Sequence, residues 1–136
     1  MPATKPFFDT NVLLYLLSAD AQKADRAESV VKNGGIISVQ VLNELANVMR
    51  RKLAMTWQEV TEVLQPIRAL CQIESLTAAT HERGLQLAER HQLSIYDAMI
   101  VAAALIAGCD LLYSEDMHDG LVVEDQLRIC NPFGTQ

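Results

Sequence analysis

The sequence predicts an α/β fold, a three-layer α/β/α sandwich in which helices cover both faces of a mainly parallel, twisted sheet of four to five strands. Three observations carry that expectation. Short β-like runs alternate with longer runs of helical period along the whole chain. Several of the helical runs carry their own capping signals. No internal repeat, low-complexity tract or Pro/Gly-rich linker divides the 136 residues, so residues 1–136 are expected to form one domain.

Taken in order, Pro6 to Asp9 reads as the first strand, leading into an apolar helix from Asn11 to Leu17. Lys23 to Lys32 reads as a second helix, stopped at Asn33-Gly34-Gly35. Ile36 to Val39 is the second strand, and Gln40 to Leu53 is helical by period. Thr56 and Glu59 form a capping box opening another helix, which Pro66 should kink or shorten. Cys71 to Leu76 is strand-like, and Thr77 caps a helix running to about His91, with Gly84 inside it permitting a close packing contact. Ser94 caps an apolar helix ending at Gly108, Asp110 to Ser114 is the fourth strand, and Leu127 to Cys130 is a last one.

Composition narrows the classes. The three cysteines, Cys71, Cys109 and Cys130, are odd in number and widely spaced, without a CxxC pair or ligand-spaced His. They read as reduced core thiols of a cytoplasmic protein and make a structural zinc site an unfavoured reading. The longest apolar run, Ala98 to Ala107, is about half of a bilayer span, and the N-terminus lacks a basic-then-apolar leader pattern, so no membrane association is expected. Net charge is −6, which on its face argues against a nucleic-acid partner. Setting aside four acids discussed next from the 17 leaves 13 against 11 bases, and a bound divalent ion would reverse the local sign.

Those four are Asp9, Glu44, Asp97 and Asp116, each at the edge of an apolar segment. Parallel α/β sheets bind ligands at the carboxyl ends of their strands. Asp9 closes the first strand, Asp116 lies just beyond the fourth, and Glu44 falls early in the helix leaving the second. Asp97 occupies the first turn of the Ser94-capped helix, whose start should point back to the same rim. Each has a plain structural alternative. Glu44 lies about 40° beyond Val48 at the margin of the apolar arc and is compatible with an ordinary boundary residue. Asp97 completes a capping box, Asp9 is a possible helix cap, and Asp116 a turn residue. Their coincidence at one rim is what points to chemistry, because clustered carboxylates repel unless protonated or bound to a metal. Asn11 and Ser114 are placed to orient neighbouring carboxylates by hydrogen bonds, and Arg51, about 20° from Glu44 around its helix, to hold a substrate phosphate. His118 and Asp119 read as turn residues, although Asp119 lies near enough to share the role of Asp116.

With these residues in place the chain resembles the PIN-domain family, in particular the VapC-type toxins of prokaryotic type II toxin-antitoxin pairs. The resemblance rests on Asp9-Thr10-Asn11, on Gln40-Val41-Leu42-Asn43-Glu44, on Asp97-Ala98 opening an Ala-rich helix, and on Ser114-Glu115-Asp116 after Leu111-Leu112-Tyr113. It implies an endoribonuclease dependent on Mg²⁺, with Mn²⁺ able to substitute, binding one or two ions. It further implies RNA as substrate, a homodimer, and inhibition by a cognate antitoxin with a basic tail. Asp9 and Asp97 would be direct ligands, with Glu44 and Asp116 binding a second ion or orienting water. Two other readings differ in class. A catalytically inactive PIN-like module would use its acidic cleft to bind a protein, and an aspartyl-phosphate phosphoacceptor domain would also put an Asp after its first strand. The latter normally requires a late Lys, and no Lys follows Lys52.

Overall fold

Phe7–Phe8 forms β1, only two residues long, with neither ring exposed to solvent. It is buried because it lies between β2 (Gly35–Ser38) and β4 (Leu111–Tyr113), parallel to both, with Phe7 opposite Ile36 on one side and Leu112 on the other. Outside β2 lies β3 (Cys71–Glu74), also parallel. Outside β4 lies the parallel β6 (Leu127–Cys130), edged by the antiparallel β5 (Val122–Val123). The order across the sheet is β3-β2-β1-β4-β6-β5. The computed structural model describes residues 5–134, so the first four residues, part of the segment read above for a leader pattern, lie outside it.

Among the described residues six α-helices flank this sheet: α1 (Thr10–Leu14), α2 (Ala21–Val31), α3 (Val39–Arg51), α4 (Trp57–Leu70), α5 (Ala78–His91) and α6 (Ile95–Ile106). The architecture is the three-layer α/β/α sandwich expected. The sheet has one strand more than the four to five foreseen, because β5 is a two-residue edge pairing too short to leave a periodic signal.

Other differences are local. The apolar run from Asn11 to Leu17 is a short α-helix from Thr10 that tightens at Tyr15–Leu17 into a 3₁₀ turn, and α2 begins at Ala21, where the Asp20 carboxylate accepts from the amides of Gln22 and Lys23. Pro66 stops nothing: α4 continues to Leu70. Pro66 and Glu62, whose carbonyl it leaves without a donor, are both exposed, so water can serve that carbonyl. Among the described residues no helix is long and apolar enough to cross a membrane.

Two features position the site. The chain leaves β1 toward β2 on one side and returns to β4 on the other, so the carboxyl ends of β1 and β4 form the switch point at which open α/β sheets bind ligands. The Asp9 amide donates to Tyr113 O at 2.9 Å, carrying the β1–β4 ladder to the lip of that crevice. Helix α6 is buried from Ala98 to Leu105, which makes it a rigid rod with Asp97 at its near end. It packs on α5 as a hairpin turned by Gln92 in the left-handed conformation (φ 56°). A Cβ on Gly84 would stand 2.5 Å from Met99 Cε but 3.6 Å from the Ala98 carbonyl oxygen, so the glycine makes room for the flexible end of the Met99 side chain.

Candidate active site

Asp9, Glu44, Asp97 and Asp116 all line one cleft of about 240 Å³ at the switch point, together with Thr10, Asn11 and Asn47. Larger depressions lie elsewhere: one of about 680 Å³ bordered by Lys23, Arg26 and Phe133, and an apolar groove of about 450 Å³ between α1, α2 and α4. Charge, not size, distinguishes the acidic cleft.

Asp9 is 4% exposed and serves as N-cap of α1. Its Oδ1 accepts from the Thr10 amide at 2.7 Å, and its Oδ2 accepts from Ser114 Oγ at 2.7 Å and Asn11 Nδ2 at 3.4 Å. Asn11 Oδ1 in turn accepts from the Glu115 amide at 3.1 Å, and Ser114 Oγ from the Met117 amide at 3.2 Å, so both residues lock the loop after β4 to the β1 end. Glu44 is clamped on both oxygens, by Thr10 Oγ1 and Gln40 Nε2, each at 2.6 Å. Asp97 is held through its backbone, which donates to the capping Ser94 Oγ at 3.1 Å.

The carboxylates feel one another. Burial pushes the Asp9 carboxyl up from 3.8 to about 6, opposed by the bonds from Ser114 and Thr10 and reinforced by the charges of Asp97 and Glu44. Asp97 is likewise raised, first by burial and then by Glu44 and Asp116, with the Ser94 bond pulling the other way. Among the described residues the ion pairs are Lys23–Glu115 and Arg83–Glu124, so no Lys or Arg neutralises any of the four. Carboxylates placed like this relieve their repulsion by taking up a proton or a divalent cation.

The donor set is entirely oxygen, which suits a hard divalent ion and not zinc. Among the described residues no three or more His, Cys, Asp or Glu side chains converge tightly enough to hold an ion by themselves. Mg²⁺ asks less, taking one or two carboxylates and completing its octahedron with water and substrate phosphate.

Arg51 is exposed on α3 and does not border the cleft, while its neighbour Arg50 is tied to Met55 O at 2.7 Å and lies over the Trp57 ring. Asp119 accepts from the Asn131 amide at 2.9 Å, as a turn residue does, and is not among the cleft-lining residues, whereas Asp116 is. Sequence reasoning missed Thr10, Gln40 and Asn47. Gln40 lies four residues before Glu44 on one helix face, a spacing that could have suggested their bond. Nothing in the sequence marks the hydroxyl of Thr10 as a partner for Glu44.

Residues 7–118 match the family model of the PIN domain. No curated protein sequence matches the chain significantly. Among solved structures, a toxin-antitoxin complex from Klebsiella pneumoniae superposes with a TM-score of 0.73 at 18% identity, over 96% of this chain and 99% of that one. DNA-bound VapBC from Salmonella typhimurium gives 0.70 at 17% identity, over 95% and 98%. VapC20 from Mycobacterium tuberculosis, described as a sarcin-ricin loop cleaving toxin, gives 0.64 at 23% identity, over 79% and 86%. At such identities the likeness to these structures is one of fold.

Proposed function

The chain belongs to the PIN-domain family, whose members are generally nucleases, and from that premise we propose that it is a Mg²⁺- or Mn²⁺-dependent endoribonuclease acting as the toxin of a toxin-antitoxin pair. The observation that carries this reading is the single cleft lined by four carboxylates without a cationic side chain.

Asp9 and Asp97 would ligate the ion, and Glu44 and Asp116 would hold a second ion or orient water. When bound, the ion would lower the pKa of water at the site and offset the charge that builds on the phosphoryl oxygens. The protein's own residues do the rest. Ser114, Asn11 and the Thr10 amide fix the Asp9 carboxylate, which is ionised above about pH 6 and so ready to bind. Thr10 and Gln40 hold Glu44 in one orientation. Arg51, exposed on α3, would meet a substrate phosphate beyond the cleft edge. Cleavage would leave a 5′-phosphate and a 3′-hydroxyl.

The toxin–antitoxin setting is supported by the fold of the solved relatives, several of which are complexes of that kind. An antitoxin with a basic tail would place an Arg or Lys among the same acids when the ion is absent. A homodimer and a cytoplasmic location complete the proposal.

The test is induced expression of the wild type beside Asp97→Asn, with cellular RNA ends mapped by sequencing. Cleavage at discrete positions, lost in a variant that still folds, is the expected result. Full cleavage by folded Asp97→Asn would defeat the assignment. Calorimetric titration with Mn²⁺ separates the enzyme from an inactive protein-binding module, which would show no stoichiometric uptake.

A further inference from the structure

Three of the four cleft carboxylates are positioned by something strong. Asp9 and Glu44 are gripped by their own oxygens, and Asp97 rides on a buried helix. Asp116 has neither support. It sits in an irregular loop after β4, and among the described residues no hydrogen bond holds its carboxylate. Its direction must come from its neighbours in the chain.

The residue before it is tied down in an unusual way. Glu115 Oε1 accepts from Tyr15 Oη at 2.6 Å and its Oε2 from Lys23 Nζ at 3.2 Å, while Lys23 Nζ also donates to Tyr15 Oη at 3.0 Å. The three side chains close a ring, with Lys23 Nζ 4.5 Å from the centre of the Tyr15 ring and that ring packed against Phe133 at 4.5 Å. The Glu115 amide is bonded to Asn11 Oδ1 on α1. Glu115 is thus held at backbone and side chain by residues 92 to 104 positions away in sequence.

Resting on the nuclease reading above, we propose that Tyr15, Lys23 and Glu115 form a brace that positions Asp116 for metal binding. The ring has a second effect. Glu115 precedes Asp116 in the chain, and Lys23 and Tyr15 occupy both its oxygens, so its carboxylate is turned to them and is not free to act as a ligand. A partly exposed ion pair contributes little to stability, so the value of this one lies in geometry.

Tyr15→Phe, which keeps the ring against Phe133, and Glu115→Ala are the test pair, each compared with wild type and with the double variant. The expected result is a fall in kcat and in Mn²⁺ affinity of about tenfold, the low end for partners that orient a ligand. KM and the urea midpoint should stay near wild type, which a merely structural role would not produce. The double variant should lose no more than Glu115→Ala alone, since the three groups act as a unit. In metal-free protein the Glu115 and Met117 amides should exchange with solvent faster in either variant, a readout independent of activity. Unchanged exchange, or wild-type kcat and Mn²⁺ affinity in both variants, would overturn the brace. Failure of the wild type itself to bind Mn²⁺ would instead overturn the nuclease reading, leaving amide exchange to decide the brace.

Discussion

Replacing Asp9 by Asn should make the metal-free protein more stable at neutral pH, although it should also remove activity. The buried Asp9 carboxyl titrates near 6, against 3.8 for the unperturbed group, so ionising it in the fold is costly. At 1.36 kcal/mol per pH unit the cost above pH 6 is roughly 3 kcal/mol. Asn keeps an acceptor for the Thr10 amide, but an Nδ2 in place of Oδ2 takes the acceptor from both Ser114 Oγ and Asn11 Nδ2, which would subtract about 1–2 kcal/mol. The expected gain at pH 7.5 is therefore roughly 1–2 kcal/mol. Because the folded pKa is raised, the stability due to the bound proton is fully present below 3.8 and lost as pH rises through 6. The two proteins should accordingly be close at pH 3.5, diverge between about pH 4 and 6, and keep a constant gap above. Saturating Mg²⁺ should narrow the gap, since at 100 times Kd it stabilises the wild type by about 2.7 kcal/mol and leaves the variant unaffected. Urea unfolding across that pH range, with and without Mg²⁺, measures each quantity. A variant less stable than wild type at pH 7.5 in EDTA, with a difference independent of pH, would mean that ionising Asp9 costs the fold nothing.

Other outcomes follow from the same contacts. Ser114→Ala removes a bond that favours the ionised Asp9, so the acid limb of the activity profile should move upward from about pH 6, as a pH–rate series would show. Gly35→Ala would bring a Cβ within 2.6 Å of Pro6 O and 2.5 Å of Phe8 Cε2, both on or beside β1. Neither can retreat cheaply, so urea unfolding should register a loss of about 2–3 kcal/mol. Thr10→Val should leave the fold intact and free one Glu44 oxygen, lowering kcat about tenfold with little effect on RNA KM in steady-state assays. Chelation by EDTA should abolish cleavage by the wild type, and added Mg²⁺ or Mn²⁺ should restore it.

The parts legible in the sequence were those written in local physics. Ser94 three residues before Asp97, followed by ten apolar residues, marks both a helix start and its burial, and α6 has both. The alternation of strand and helix signals is enough to infer a parallel sheet, and a parallel sheet is enough to infer that Asp9 and the loop after β4 share an edge. What stayed hidden depends on distant partners or on lengths below any period. A two-residue strand such as β5 has no alternation to read. Leu13, Leu14, Leu16 and Leu17 are apolar whether the chain coils as α or 3₁₀, so the tightening at Tyr15 leaves no mark in hydropathy. Pro66 carries the same local signal whether or not its helix stops, and only its exposure reveals that the missing bond is tolerable. The Tyr15–Lys23–Glu115 ring joins three residues whose separate settings suggest nothing in common.

Anomalous diffraction from crystals soaked in Mn²⁺ would show whether the carboxylates of the cleft hold a hard cation. The expected result is a peak in the cleft with oxygens of Asp9 and Asp97 at about 2.0–2.2 Å, the range for small hard cations, and its disappearance in Asp97→Asn. A fully soaked wild-type crystal with no peak between those two carboxylates, or with the same peak in Asp97→Asn, would contradict it.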